Sequence, residues 1–140
     1  MEALAFTRNC ATGVTFAADT APVYGFGHSE ELLGKALKPV RDKVIIATKC
    51  GLRWEKESLG AIKRDASRKS IFEEVELSLK RLQTDRIDLY QVHWPDVETL
   101  NTETMSALTE LQQQGKIRHI GVSNYSVEQI QESLKHGRIV

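Results

Sequence analysis

Four short apolar runs punctuate the chain, and between them apolar residues recur at helical spacing. The runs cover residues 13–19 (GVTFAAD), 43–49 (KVIIATK), 87–93 (IDLYQVH) and 117–123 (IRHIGVS). The middle two carry few polar interruptions, the pattern of strands covered on both faces in a parallel sheet. Ser29 reads as the cap of a helix whose first turn holds Glu30 and Glu31, acids that suit the positive end of the helix dipole. Leu32, Leu33, Ala36 and Leu37 then share one face, and Pro39 stands where that helix should stop. Ser70-Ile71-Phe72-Glu73 is a capping-box pattern leading into Val75, Leu79 and Leu82. Thr102 opens a helix through Met105, Leu108 and Leu111, closed by Gly115 at the position after its cap. Ser126-Val127-Glu128-Gln129 is a second capping box, ahead of Ile130 and Leu134.

Residues 2–10 read as one more helix, and Ile139 with Val140 as the start of a further strand. The resulting order, α-β-α-β-α-β-α-β-α, predicts an α/β fold with a parallel sheet. A chain of 140 residues suits one domain, 1–140, and no low-complexity linker or internal repeat divides it. Residues 53–69 form one long polar segment, a loop of the size that covers a site.

Composition narrows the class of partner. Hydrophobic residues make up 41% and charged ones 27%, as in ordinary soluble globular proteins. The 19 basic and 19 acidic side chains cancel to a formal net charge of zero, which gives no electrostatic reason to expect a nucleic acid or an anionic membrane. No apolar run approaches the roughly 18 residues of a spanning helix. The start, Met1-Glu2-Ala3-Leu4-Ala5-Phe6, has no basic region and no extended apolar core, so no secretory signal is expected. Cys10 and Cys50 are no disulfide framework, and a cytoplasmic location is the expectation.

In parallel α/β folds, sites form at the carboxyl ends of strands. The first run ends at Asp19, closely followed by Tyr24; the second ends at Lys49; the third at His93, beside Trp94; the fourth at Ser123-Asn124. Each strand thus brings a chemically capable residue to one end of the sheet. A Tyr hydroxyl, with a pKa of about 10, is a weak acid at neutral pH. A neighbouring ammonium favours the phenolate and eases proton exchange with a substrate oxygen. A carboxylate beside the Lys holds it charged and in place, and a His can donate to a carbonyl oxygen as negative charge develops there. Asp, Tyr, Lys and His together suit protonation of a carbonyl oxygen during hydride delivery. None of them carries hydride, so a nicotinamide is implied.

The local spelling extends this reading. Asp19-Thr20-Ala21-Pro22-Val23-Tyr24-Gly25, Ala47-Thr48-Lys49, Ile87-Asp88-Leu89-Tyr90-Gln91-Val92-His93-Trp94-Pro95 and Gly121-Val122-Ser123-Asn124-Tyr125 resemble motifs of the aldo-keto reductase family, in the same order and spacing. Gly25-Phe26-Gly27-His28-Ser29-Glu30 and Lys49-Cys50-Gly51-Leu52-Arg53-Trp54 resemble bacterial-type members. The resemblance implies Tyr24 as proton donor, Lys49 as the group that tunes it, Asp19 as the partner of Lys49, and His93 as the carbonyl-orienting residue. It places Ser123 and Asn124, with Asp19, on the cofactor. Trp54 and Trp94, with Tyr24 and His93, fall on the substrate side. NADP (as NADPH) is the implied cofactor, a small-molecule carbonyl the implied substrate, and reduction to the alcohol the implied reaction. The implied fold is a partial TIM (β/α)8 barrel: a full one takes about 250 residues, and the motifs here correspond to strands two to five. A second expectation, from another class, is a truncated, non-catalytic fragment or interaction module. An open half-barrel exposes strand edges and apolar interior positions, so marginal stability and self-association are expected.

Each residue alone has a plainer explanation. Lys49 could reach solvent, Tyr24 could pack its ring, Asp19 could cap a turn, and His93 could be a core histidine. Their joint placement at successive strand ends outweighs those explanations. Gly25-Phe26-Gly27 opens a dinucleotide-like pattern, but Glu30 stands where its third glycine belongs, which argues against a Rossmann fold. Cys50 reads as a buried thiol rather than a nucleophile. The spacing of His28, His93, His119 and His136 predicts no metal site. Trp54 reads equally as a pocket wall or a loop anchor.

Overall fold

The apolar run from Val44 to Cys50 forms a central strand of a five-stranded sheet in the computed structural model, which describes residues 5–7 and 16–140. The strands are β1 (Ala5–Thr7), β2 (Phe16–Asp19), β3 (Val44–Cys50), β4 (Leu52–Trp54), β5 (Ile62–Arg64), β6 (Ile87–Val92) and β7 (Ile117–Val122). The main sheet has the order β1-β2-β3-β6-β7, and β4 pairs with β5 in a separate antiparallel hairpin. From β2 to β7 all neighbours are parallel, with Asp19 opposite Ala47, Lys49 opposite Gln91, and Gln91 opposite Gly121. Side chains in register across parallel strands point to the same face.

Four helices, α1 (His28–Leu37), α2 (Arg68–Leu82), α3 (Asn101–Gln113) and α4 (Val127–Leu134), make the crossovers. Right-handed connections between parallel strands put consecutive helices on one side. The core accordingly forms between that face and the helices, from Ile46, Tyr90 and Ile120 on the strands and Leu33, Ile71, Val75, Leu108 and Leu111 on the helices, all buried. Each such aliphatic side chain stabilises the fold by about 1.5–3 kcal/mol. The alternate strand positions face the other way: Ile45 is 43% exposed, Leu89 is half-buried and His119 is exposed.

Charged groups lock the helices to the sheet. Buried Glu30 of α1 accepts from Arg81 Nε of α2 and from Thr48 Oγ1 of β3, each at 2.6 Å. Gly34 lets the two helices meet, since a Cβ there would lie 2.5 Å from the Arg81 carbonyl oxygen. At the opposite end of the strands, Asp88 accepts from Arg41, Arg118 and the Ile46 amide at 2.7–2.9 Å.

Several expectations meet the structure directly. The four parallel strands follow sequence order. Ser126 forms its capping box with Gln129, Gly115 adopts a left-handed φ of 75° after α3, and Ile139 bridges Ile120 as the start of a further strand. Others need correction. Ala5–Thr7, expected within a helix over 2–10, is a strand antiparallel to β2; the rest of that expected helix, and residues 13–15 of the first run, lie outside the described residues. Ser29 does not cap α1: Gly27 occupies the cap with φ 101°, and the Ser29 hydroxyl is spent on Thr20 Oγ1 at 2.8 Å. The helix α1 does end at Leu37, just before Pro39, and 3-10 turns (Lys38–Lys43) carry the chain on to β3. Ser67, not Ser70, caps α2, accepting from the Ser70 amide, because the helix begins one turn earlier at Arg68. Leu100, not Thr102, precedes α3 and offers no side-chain cap. The segment 53–69 is not a structureless loop, since it folds back as the β4–β5 hairpin. Among the described residues no helix is long and apolar enough to cross a membrane.

Candidate active site

Asp19 ends β2 and Lys49 lies one residue from the end of β3, so the two parallel strands deliver a carboxylate and an ammonium to the same rim. Lys49 Nζ lies 3.0 and 2.9 Å from the two Asp19 oxygens and 2.8 Å from the Thr20 carbonyl oxygen. An ammonium has three protons to donate, and these three contacts use them. The Lys49 side chain is only 8% exposed, whereas that of Asp19 is 48% exposed, so the pair has a dry end and a wet end.

Tyr24 reaches the rim through a tightly wound connection. The Thr20 amide donates to Ala47 O, extending the β2–β3 ladder by one residue, and the Tyr24 amide then donates to Ala21 O at 3.1 Å. Gly25, Phe26 and Gly27 follow with φ of 62°, 53° and 101°. Three left-handed residues in succession turn the chain into α1, and glycine supplies two of them without strain. At Gly27 a Cβ would also collide with Arg81 Cδ at 2.8 Å. The Tyr24 ring centroid ends 5.5 Å from Lys49 Nζ and 5.9 Å from the His93 ring, nearly perpendicular to it.

His93 follows β6. Its amide donates to Cys50 O at 2.9 Å, and its carbonyl accepts from Asn124 Nδ2 at 2.8 Å. Burial, and then the Lys49 charge, push its imidazole from 6.5 down to about 4, with Asp19 opposing. The ring is therefore neutral at neutral pH and can donate one hydrogen bond. Among the described residues neither its ring nitrogens nor the Tyr24 hydroxyl makes a hydrogen bond to protein, so each keeps a donor for a ligand.

The fourth strand end brings Ser123 and Asn124 to the same rim. The Ser123 amide donates to Val92 O at 2.8 Å, and Asn124 adopts φ 61°, a conformation asparagine tolerates. Six of the eight residues singled out from the sequence thus gather around one mouth. The two tryptophans lie on the segments that follow β3 and β6. Trp54, on β4, packs edge-on against Phe26 at 5.5 Å and lines a groove of about 240 Å³ with Arg53 and Arg81. Trp94 lies under the Arg64 guanidinium of the hairpin at 5.1 Å.

Two polar residues near the site escaped the sequence reading. Gln91, on the face of Lys49, reaches Asp19 Oδ1 at 3.5 Å, the long limit of a hydrogen bond. Glu74 accepts from the Gly51 amide at 3.0 Å and lines a small cavity with Lys49, Cys50 and His93. The one available signal was a carboxylate on the apolar face of a predicted helix. Burial, helped by the neighbouring Glu74, pushes the Cys50 thiol well above its ordinary range, as suits a packed rather than a nucleophilic cysteine.

Comparison with known proteins adds the following. The model of the Aldo/keto reductase family matches residues 5–140. The aldo-keto reductase YhdN of Bacillus subtilis is 58% identical over 120 residues, 84% of this chain and 35% of its own length. The NADH-specific methylglyoxal reductase of Escherichia coli is 42% identical over 132 residues, 86% of this chain and 40% of its own. Among solved structures, the glycerol dehydrogenase from Gluconobacter oxydans superposes with a TM-score of 0.81 at 47% identity, covering 88% of this chain and 38% of that one. The aldo-keto reductase from Klebsiella pneumoniae in complex with NADPH superposes at 0.72 with 34% identity, covering 90% and 39%. The chain therefore spans between about a third and two fifths of the length of these relatives. Its fold is α/β, a partial TIM (β/α)8 barrel, in agreement with the sequence reading.

Proposed function

The chain belongs to the aldo/keto reductase family, and on that premise we propose that it carries the proton-handling residues of a carbonyl reduction, converting an aldehyde or ketone to an alcohol. The observation that carries the reading is the Tyr24 ring beside the Lys49 ammonium, whose charge sits 5.5 Å from the ring centre. The carbonyl carbon gains a hydride, its π electrons move to oxygen, and Tyr24 Oη releases its proton to that oxygen. The phenolate left behind is stabilised by Lys49 and regains a proton from water. Neutral His93 donates its ring N–H to the same oxygen and favours the charge developing there.

NADPH, when bound, supplies the hydride. Ser123 and Asn124 are the residues that would hold its carboxamide. They fit that role, because Asn124 has spent Nδ2 on the His93 carbonyl and keeps Oδ1 as an acceptor for an amide N–H. The Klebsiella pneumoniae relative is solved with NADPH, whereas the Escherichia coli one is named for NADH, so both nucleotides belong in the test. A non-catalytic role that keeps the fold is the second reading. It is favoured by exposed Ile45 and half-buried Leu89 on the face opposite the helices, a surface suited to self-association.

Titration of the chain with NADPH and with NADH, followed by nicotinamide fluorescence and by nucleotide consumption with methylglyoxal as the carbonyl, distinguishes the two. The catalytic reading expects binding with turnover, and Tyr24→Phe should abolish turnover while nucleotide binding persists. Turnover retained in that variant removes Tyr24 from the mechanism. Absence of nucleotide binding favours the non-catalytic reading.

A further inference from the structure

Glu74 holds a carboxyl group where α2 otherwise presents apolar side chains: Ile71, Val75, Leu79 and Leu82 share its buried face, and Glu74 itself is 4% exposed. Ser70 Oγ donates to Glu74 Oε1 at 2.9 Å, and the Gly51 amide donates to both carboxyl oxygens, at 3.0 and 3.2 Å. The amide group joining Cys50 to Gly51 has a second partner at its other end. Its carbonyl oxygen, Cys50 O, accepts the His93 amide at 2.9 Å. One planar peptide group therefore has the Glu74 carboxyl on its N–H and a residue of the candidate tetrad on its C=O. Donation of an N–H to an anion polarises the amide and makes its oxygen a stronger acceptor, so the two hydrogen bonds reinforce one another.

We propose that Glu74 is a positioning residue for the site, holding His93 through the amide between Cys50 and Gly51 and transmitting its own charge state to His93 along that link. The inference rests on the reading of His93 as the residue that orients the carbonyl. The charged and titratable groups around Glu74 are Cys50 and Lys49 of β3, Arg53 of β4, Asp65 before α2, Arg81 of α2, Tyr90 of β6, and His93. Burial pushes the Glu74 carboxyl up to about 7; the hydrogen bonds from Gly51 and Ser70, and then the Arg53 charge, restrain the rise, while Asp65 adds to it. The carboxyl thus changes charge near neutral pH, and His93, already neutral there, does not. Ionisation tightens the grip on the Gly51 amide and, through it, on His93.

Amide proton NMR of the chain from about pH 5 to about pH 9 tests this with neither cofactor nor substrate. The Gly51 and His93 amide protons are both expected to move downfield with a common midpoint at about 7. Glu74→Gln, which still accepts from Gly51 but does not ionise, should abolish both steps. Glu74→Ala should speed hydrogen exchange at the His93 amide about tenfold, and the glutamine variant should largely restore it. A step at Gly51 with none at His93, or a step at His93 that survives Glu74→Gln, overturns the proposal. A chain that reduces carbonyls yet shows no shared step refutes only this link. A chain that shows the step without turnover leaves the link standing and refutes the catalytic reading.

Discussion

The Lys49 ammonium lies 5.5 Å from the centre of the Tyr24 ring and makes no hydrogen bond to its hydroxyl, because all three of its protons go to Asp19 and Thr20. In the proposed mechanism Lys49 would therefore act on Tyr24 through its field and not as a relay donor.

Lys49→Met removes the field while keeping the length of the side chain. In a chain that turns over, it should lower kcat by about 10²- to 10⁴-fold and leave the far-ultraviolet circular dichroism spectrum unchanged. Asp19→Asn should act more mildly on the fold. The Asp19 side chain is 48% exposed and Thr20 O still accepts from Lys49, so the loss should stay below the about 3–5 kcal/mol of a fully buried pair. Urea denaturation measures that loss.

His93 should titrate with a midpoint at about 4, read from its imidazole resonances. Its unfolded value is about 6.5, so in the window between the two the unfolded chain binds a proton that the folded chain refuses. The contribution of His93 to stability is whole above about 6.5, falls as the pH drops toward about 4, and is level below that. His93→Gln should flatten this slope in denaturation curves collected across that window.

Glu74 has the opposite sign. Its carboxyl titrates at about 7 in the fold and at 4.5 by its ordinary value, so across that interval the folded chain keeps a proton that the unfolded chain has lost. Its stabilising contribution is full below 4.5, falls as the pH rises, and has gone above about 7. Glu74→Gln should escape that loss. Its stability relative to the parent should rise with pH by an amount on the order of 3 kcal/mol. Paired denaturation series at both ends of the interval measure the difference, and a pH-independent difference would refute it.

Gly34→Ala should destabilise the fold although alanine is the better helix former. Its Cβ would lie 2.5 Å from Arg81 O and 2.7 Å from Leu82 Cα, backbone atoms that yield only if α1 and α2 separate. Overpacking of this kind costs about 1–3 kcal/mol. A lowered thermal midpoint is the expected result, and an unchanged or raised one would show that the helices part freely.

Much of this protein was legible in its sequence because the signals were local. Alternation of short apolar runs with helical periodicity determined four parallel strands in chain order, and that order alone places Asp19, Lys49, His93 and Asn124 at one rim. Gly115 and the Ser126–Gln129 box were readable because a cap involves only residues a few positions apart. The tertiary structure decided what depends on distant partners. Glu30 looks like a helix-dipole acid until Arg81, 51 residues away, arrives to bury it. Glu74 is an unexplained carboxylate on the apolar face of its helix until the Gly51 amide, 23 residues earlier, needs an acceptor. The hairpin in 53–69 left little pattern, since Lys63 and Arg64 are exposed and its strands are three residues long. Trp54 met Phe26, 28 residues earlier, because the β4–β5 hairpin carries it to the turn before α1. Spacing along a chain specifies which side chains share a strand or a helix face. Only the packing of those elements specifies which buried charge meets which amide.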